Sequence, residues 1–99
     1  MSEPLTVIAY ARVKAGQDAR ARAVLVGLVA PTRAEAGCLN YDLHQSNDDP
    51  RLFVFHENWV SAADLDAHAR SPHIQAFRAV VPEILDGPVD ISRWTRVPG

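Results

Sequence analysis

Residues Leu5 to Lys14 alternate, with Leu5, Val7, Ala9, Ala11 and Val13 on one side and Thr6, Ile8, Tyr10 and Arg12 on the other, which is the period of a β-strand. Gly16 ends it. From Gln17 to about Glu35 the period changes: Ala21, Val24, Leu25, Leu28, Val29 and Thr32 recur at three and four, the buried stripe of a helix. Pro31 lacks the N–H that would bond the carbonyl of Gly27 and crowds that carbonyl, so a kink or break is expected near residue 30.

Leu39 to Gln45 and Leu52 to Trp59 read as two further strands, and the turn formers Ser46-Asn47-Asp48-Asp49-Pro50 between them make a hairpin. Ser61-Ala62-Ala63-Asp64 then has the spacing of a capping box and starts a short helix. Ser71-Pro72 repeats the start signal, and Ile74, Phe77, Val81 and Leu85 give the next helix its apolar stripe, with Pro82 near its last turn. Gly87-Pro88 ends that helix. Val89, Ile91, Trp94 and Val97 form a final strand whose alternation slips midway, as at a bulge. Short connections and right-handed crossovers fold the order β-α-β-β-α(α)-β into an α+β ferredoxin-like plan: a four-stranded antiparallel sheet with helices on one face.

With the hairpin centred near Asp48, the odd positions share the helix-covered face: Leu39, Tyr41 and Leu43 beside Phe53, Phe55, Glu57 and Trp59. The other face mixes Asn40, Asp42, His44, His56 and Asn58 with Leu52, Val54, Ile8 and Tyr10. A fully solvated antiparallel sheet alternates more cleanly, so this second face is expected to meet another protein surface, most simply a second copy in a homodimer.

Composition narrows the function. The 99 residues supply one domain, 1–99, and no room for a separate cofactor-binding module. Ten basic against twelve acidic residues form no basic stripe, which argues against nucleic acid. The longest apolar run, Ala23 to Ala30, falls far short of the roughly 20 residues that span a bilayer, and a cytoplasmic protein without a membrane partner is expected. Cys38 is the only cysteine and reads as a small apolar residue opening a strand.

Glu57 is the only charge on an otherwise aromatic face, so it is either a buried structural acid or a pocket carboxyl with a pKa raised toward neutrality. His68, three residues after Leu65, turns to the same side as the helix's apolar stripe and is a candidate general base. His73, across the Ser71-Pro72 break, is placed at the pocket mouth or exposed in a first turn. Tyr41, Phe55 and Phe77 suit either a core or the walls of a pocket for a flat ring. No His-x3-His or Glu-x-x-His spacing occurs, and no metal site is expected. No glycine-rich phosphate loop, nucleophile elbow or Cys-His pairing occurs either.

The segment Pro31 to Leu43, the pair Asp49-Pro50, the run Phe53-Val-Phe-His-Glu-Asn-Trp59, and then Ser61, Leu65, His68, Ser71-Pro72-His73 and Phe77 together resemble the antibiotic biosynthesis monooxygenase family, near its quinol monooxygenase members. The resemblance spans almost the whole chain. It implies a dimeric α+β barrel that oxygenates an electron-rich phenol or quinol with O2, without metal, flavin or haem. It further implies that Glu57, Trp59 and His68 are catalytic, with His68 taking the hydroxyl proton and Trp59 ordering the ring, and that Tyr41, Phe55, His73 and Phe77 bind substrate. Haem-degrading relatives in the wider superfamily use an asparagine, a tryptophan and a histidine ligand at places held here by Ala9, His68 and Arg78, so haem degradation is not expected. A non-catalytic binding dimer and a polyketide-pathway isomerase or decarboxylating enzyme on the same scaffold remain alternatives.

Overall fold

The computed structural model describes residues 3–99. Its elements run β1 (Leu5–Arg12), α1 (Asp18–Gly27), α2 (Val29–Arg33), β2 (Cys38–Gln45), β3 (Leu52–Trp59), α3 (Ala62–Ala69), α4 (Pro72–Ile84) and β4 (Asp90–Thr95). The strands form one antiparallel sheet in the order β2-β3-β1-β4. With the helices packed on one face, this is the α+β ferredoxin-like fold. No helix among the described residues is long and apolar enough to cross a membrane.

Alternation sets the faces as expected. Val7, Ala9 and Ala11 from β1 and Val13 just after it, with Phe53, Phe55, Glu57 and Trp59 from β3, are all buried under the helices. The hairpin pairs Leu43 with Phe55 and Tyr41 with Glu57, so its centre is Asp49, one residue beyond the expected place. Odd positions still oppose odd positions, and the faces are unchanged. Leu39 is the exception: the register jumps between Cys38, which pairs with Trp59, and Asn40, which pairs with Asn58. This bulge leaves Leu39 out of the ladder and 55% exposed, so its expected place in the core is corrected.

The long first helix is broken at Leu28, a little before the expected place near residue 30. Pro31 cannot donate to the Gly27 carbonyl, α1 ends at Gly27, and the Leu28 amide turns back to the Leu25 carbonyl at 3.2 Å. The stripe survives the break, since Ala21, Leu25, Leu28 and Thr32 are all buried. The bulge expected in the last strand is absent: β4 pairs with β1 without interruption from Tyr10–Asp90 to Leu5–Thr95. The apparent slip arises because Ile91 and Trp94 point to opposite faces at the sheet's edge, both more than half exposed, while Val97 lies beyond the strand.

Gly37 fixes the joint between α2 and β2. Its φ of 80° suits only glycine comfortably, and a Cβ there would collide with the Asp64 carboxyl group. The glycine therefore lets the loop carrying Glu35 lie against the start of α3. Ser61 caps α3 by accepting from the Asp64 amide, as the capping box requires, but the Asp64 carboxylate reaches back to the Ser61 hydroxyl at 2.9 Å in place of the expected backbone amide.

Candidate active site

Between the β1–β4 side of the sheet and helices α3 and α4 lies a cavity of about 930 Å³. Its walls are mostly apolar and aromatic, including Phe55, Leu65, Ile74, Phe77 and Ile91, and its inner polar groups are Tyr41, Glu57 and His68. Lys14, Asp66, Arg78, Asp86 and Arg93 add charge around it. Arg93 and Asp66, each half exposed, approach to 3.7 Å.

Period two on β3 turns Glu57 inward between Phe55 and Trp59, and the ladder sets Tyr41 opposite it. Trp59 Nε1 donates to Glu57 Oε1 at 2.9 Å. Burial pushes the Glu57 carboxyl up to about 7; the Trp59 hydrogen bond opposes this and the negative charge of Glu35 adds to it. Tyr41 stacks on Phe55 with ring centroids 4.7 Å apart. Burial and then the Glu57 charge raise its phenol well above the usual range, so it stays protonated.

His68 is placed by the i, i+3 relation to Leu65 on α3, and both are buried. Its ring lies 4.8 Å from that of Trp59 and 5.6 Å from that of Tyr41. Its Nδ1 is 2.7 Å from Glu35 Oε2. Burial lowers the imidazole pKa and Glu35 opposes that shift. A carboxylate at Nδ1 assigns the ring N–H to that atom and leaves Nε2 as the basic nitrogen, the arrangement that suits a proton acceptor.

The expected residues fall into two groups. Tyr41, Phe55, Glu57, His68 and Phe77 all line the cavity. Trp59 and His73 do not. Trp59 is fully buried and bonds Glu57, and His73 Nε2 lies 2.8 Å from Glu35 Oε2, the oxygen that His68 also bonds. Glu35 itself escaped the sequence reading. It lies 33 residues from His68 and 38 from His73 in the chain, and no local pattern marks it. Glu35, His68 and His73 are also the described residues whose donor atoms cluster in the manner of a metal site. Cys38 is half-buried; burial and then the neighbouring Glu35 and Glu57 charges push its thiol up, so it is no activated nucleophile.

A ferredoxin-like sheet with a largely apolar cavity lined by an acid and an imidazole has the form in which small-molecule sites are built. The chain belongs to the antibiotic biosynthesis monooxygenase family, whose model matches residues 4–80. It is 44% identical over 94 residues to a Mycobacterium tuberculosis protein named "Putative monooxygenase Rv0793", covering 93% of this chain and 90% of that one. To the Escherichia coli protein named "Probable quinol monooxygenase YgiN" it is 34% identical over 88 residues, covering 78% and 84%. The crystal structure of PA3566 from Pseudomonas aeruginosa superposes with a TM-score of 0.94 at 40% identity, over 99% of this chain and 98% of that one.

Proposed function

We propose that the protein is a cofactor-independent monooxygenase that binds a flat, electron-rich quinol or polycyclic phenol in the cavity and oxidises it with O2. The observation that carries this reading is the pairing, inside one aromatic-walled cavity, of His68, whose Nε2 has no protein partner among the described residues, with Glu57, whose carboxyl is pushed up to about 7. His68 Nε2 accepts the substrate's hydroxyl proton. The resulting phenolate is electron-rich enough to reduce O2 directly; one oxygen atom enters the ring and the other leaves as water with two hydrogens from the substrate, so the substrate supplies all the electrons. The protein's part is to hold the ring against Tyr41, Phe55 and Phe77, exclude water and favour the deprotonated form. Trp59 acts through Glu57 as a positioning residue.

The protein works as a homodimer through the back of the sheet. There Tyr10 and Trp94 are 45% and 57% exposed beside the half-buried Ile8, Leu52 and Val54, a mixed face that gains from cover. A dimer mass in multi-angle light scattering, lost on charge substitution at Tyr10, checks this.

Oxygen uptake on a panel of quinols and anthrone-like phenols, against a no-enzyme control and after chelation, tests the reaction. Uptake above autoxidation that survives chelation supports it; none across the panel overturns it. His68→Ala is expected to lower turnover at least 100-fold with the fold intact. Two proton-carrying groups facing one cavity also favour a second reading, an isomerase, which would convert its substrate without consuming O2.

A further inference from the structure

Three side chains of metal-ligating type meet beside the cavity. Nδ1 of His68 and Nε2 of His73 lie 2.7 and 2.8 Å from the same oxygen of Glu35, and the three donor atoms are all within 4.8 Å of one another. They come from three places: the loop before β2, the last turn of α3 and the first turn of α4. Their side chains are withdrawn but reachable, with 15% of Glu35, 10% of His68 and 21% of His73 exposed. Ser71 holds the turn between the two imidazoles, donating to the His68 carbonyl at 2.7 Å and standing 3.3 Å from His73 Nε2. Glu35 has no Lys or Arg partner among the described residues; its charge is met only by the two imidazoles. A carboxylate withdrawn from water calls for a cation or a full set of hydrogen bonds.

We propose that Glu35, His68 and His73 form a binding site for a first-row divalent transition metal ion, typified by Zn²⁺, with the remaining position open to water. Two imidazole nitrogens and one carboxylate oxygen suit such borderline cations, whereas Mg²⁺ and Ca²⁺ favour oxygen alone. Bonds of about 2.0–2.2 Å around a tetrahedral ion separate the donor atoms by about 3.3 Å, so Glu35 draws back roughly half an ångström from each ring, and the two imidazole nitrogens, up to 4.8 Å apart, close on each other to admit the metal. A metal on Nδ1 of His68 puts the ring proton on Nε2 and turns a proton acceptor facing the cavity into a donor. Metal occupancy therefore switches off the proposed oxygenase; this consequence rests on the role given to His68, while binding itself does not.

The test is titration of the chelator-stripped full chain with Zn²⁺ in competition with a chromogenic chelator, with no reliance on turnover. One ion per chain is expected, bound at least tenfold more weakly by Glu35→Gln and by His73→Ala, each checked for native circular dichroism, and unchanged by the His44→Ala/His56→Ala control on the back of the sheet. Nitrogen-15 spectra of the wild-type imidazoles provide a measurement that needs no variant: Zn²⁺ should shift the ring nitrogens of His68 and His73 together. No saturable binding, binding removed only by the His44→Ala/His56→Ala control, or unmoved His68 and His73 resonances would each overturn the site and leave the three side chains as a hydrogen-bonded cluster. Absence of oxygen uptake with this binding intact would strike the proposed reaction alone.

Discussion

On one side of the helix-covered face, α1 and α2 deliver Ala21, Leu25, Leu28 and Thr32, all between 0 and 5% exposed, and the interior is filled. On the other side, α3 and α4 bring Leu65, His68, Ile74 and Phe77 inward, with the His68 ring against those of Trp59 and Tyr41, and all four also line a cavity of about 930 Å³. Both helical layers carry apolar stripes of the same period. What separates them is what the stripes touch: side chains alone in one case, side chains and the cavity in the other. The first half fills its interior, and the second leaves part of its apolar surface open to the cavity.

The largest expected effect lies in the filled half. Leu25→Ala removes a fully buried side chain and should cost about 3 kcal/mol, lowering Tm by roughly 12–24 °C for a domain of this size, while turnover per folded molecule is kept. Calorimetry beside activity corrected for folded fraction reads both.

Glu57 on the cavity wall gives the next effect, with the sign set by its raised pKa. Between the unfolded carboxyl's 4.5 and the folded value of about 7, the native state binds the extra proton, so stability falls as pH rises through this window. At alkaline pH the folded protein has lost up to about 3 kcal/mol. Glu57→Gln should flatten the profile, making the variant the more stable form above pH 7 and the slower enzyme if the carboxyl carries protons. A Tm-against-pH series in which both proteins run parallel would place the Glu57 carboxyl in ordinary solvent.

Phe77→Ala should cost less than about 2 kcal/mol, below the 3–5 kcal/mol usual for a buried phenylalanine, because its side chain is part of the cavity wall. Its larger effect should be on KM for a flat substrate. A stability loss equal to that of Leu25→Ala would erase the contrast between the halves. Smallest is Arg93→Ala: its partly exposed approach to Asp66 at 3.7 Å should contribute under about 1 kcal/mol, measurable chiefly as a salt-dependent change in substrate capture.

Much of this contrast was legible in the chain. The two-residue period of β1, β2 and β3 sorted Tyr41, Phe55, Glu57 and Trp59 to the inner face, and the Leu65–His68 spacing turned the histidine after them. The Ser61 cap and the Pro31 break were readable because a cap and a missing donor act within one helical turn. The bulge at Leu39 was not, since one extra residue in a strand is decided by the partner strand. Nor could the pattern distinguish Trp59, wholly buried against Glu57, from Phe77, which faces the cavity: both are aromatic positions on inward stripes.

The chain by itself determined which residues turn inward, where helices begin and break, and the order of elements, because periodicity, capping and turn chemistry operate over a few neighbouring residues. Only the tertiary structure decided that the inward residues of one half leave a cavity, and that Glu35 comes within hydrogen-bond reach of His68 and His73 across 33 and 38 residues of chain. Those outcomes depend on how α3 and α4 pack over the sheet and on Gly37 admitting the close approach of Asp64. Packing between distant segments has no period in the sequence.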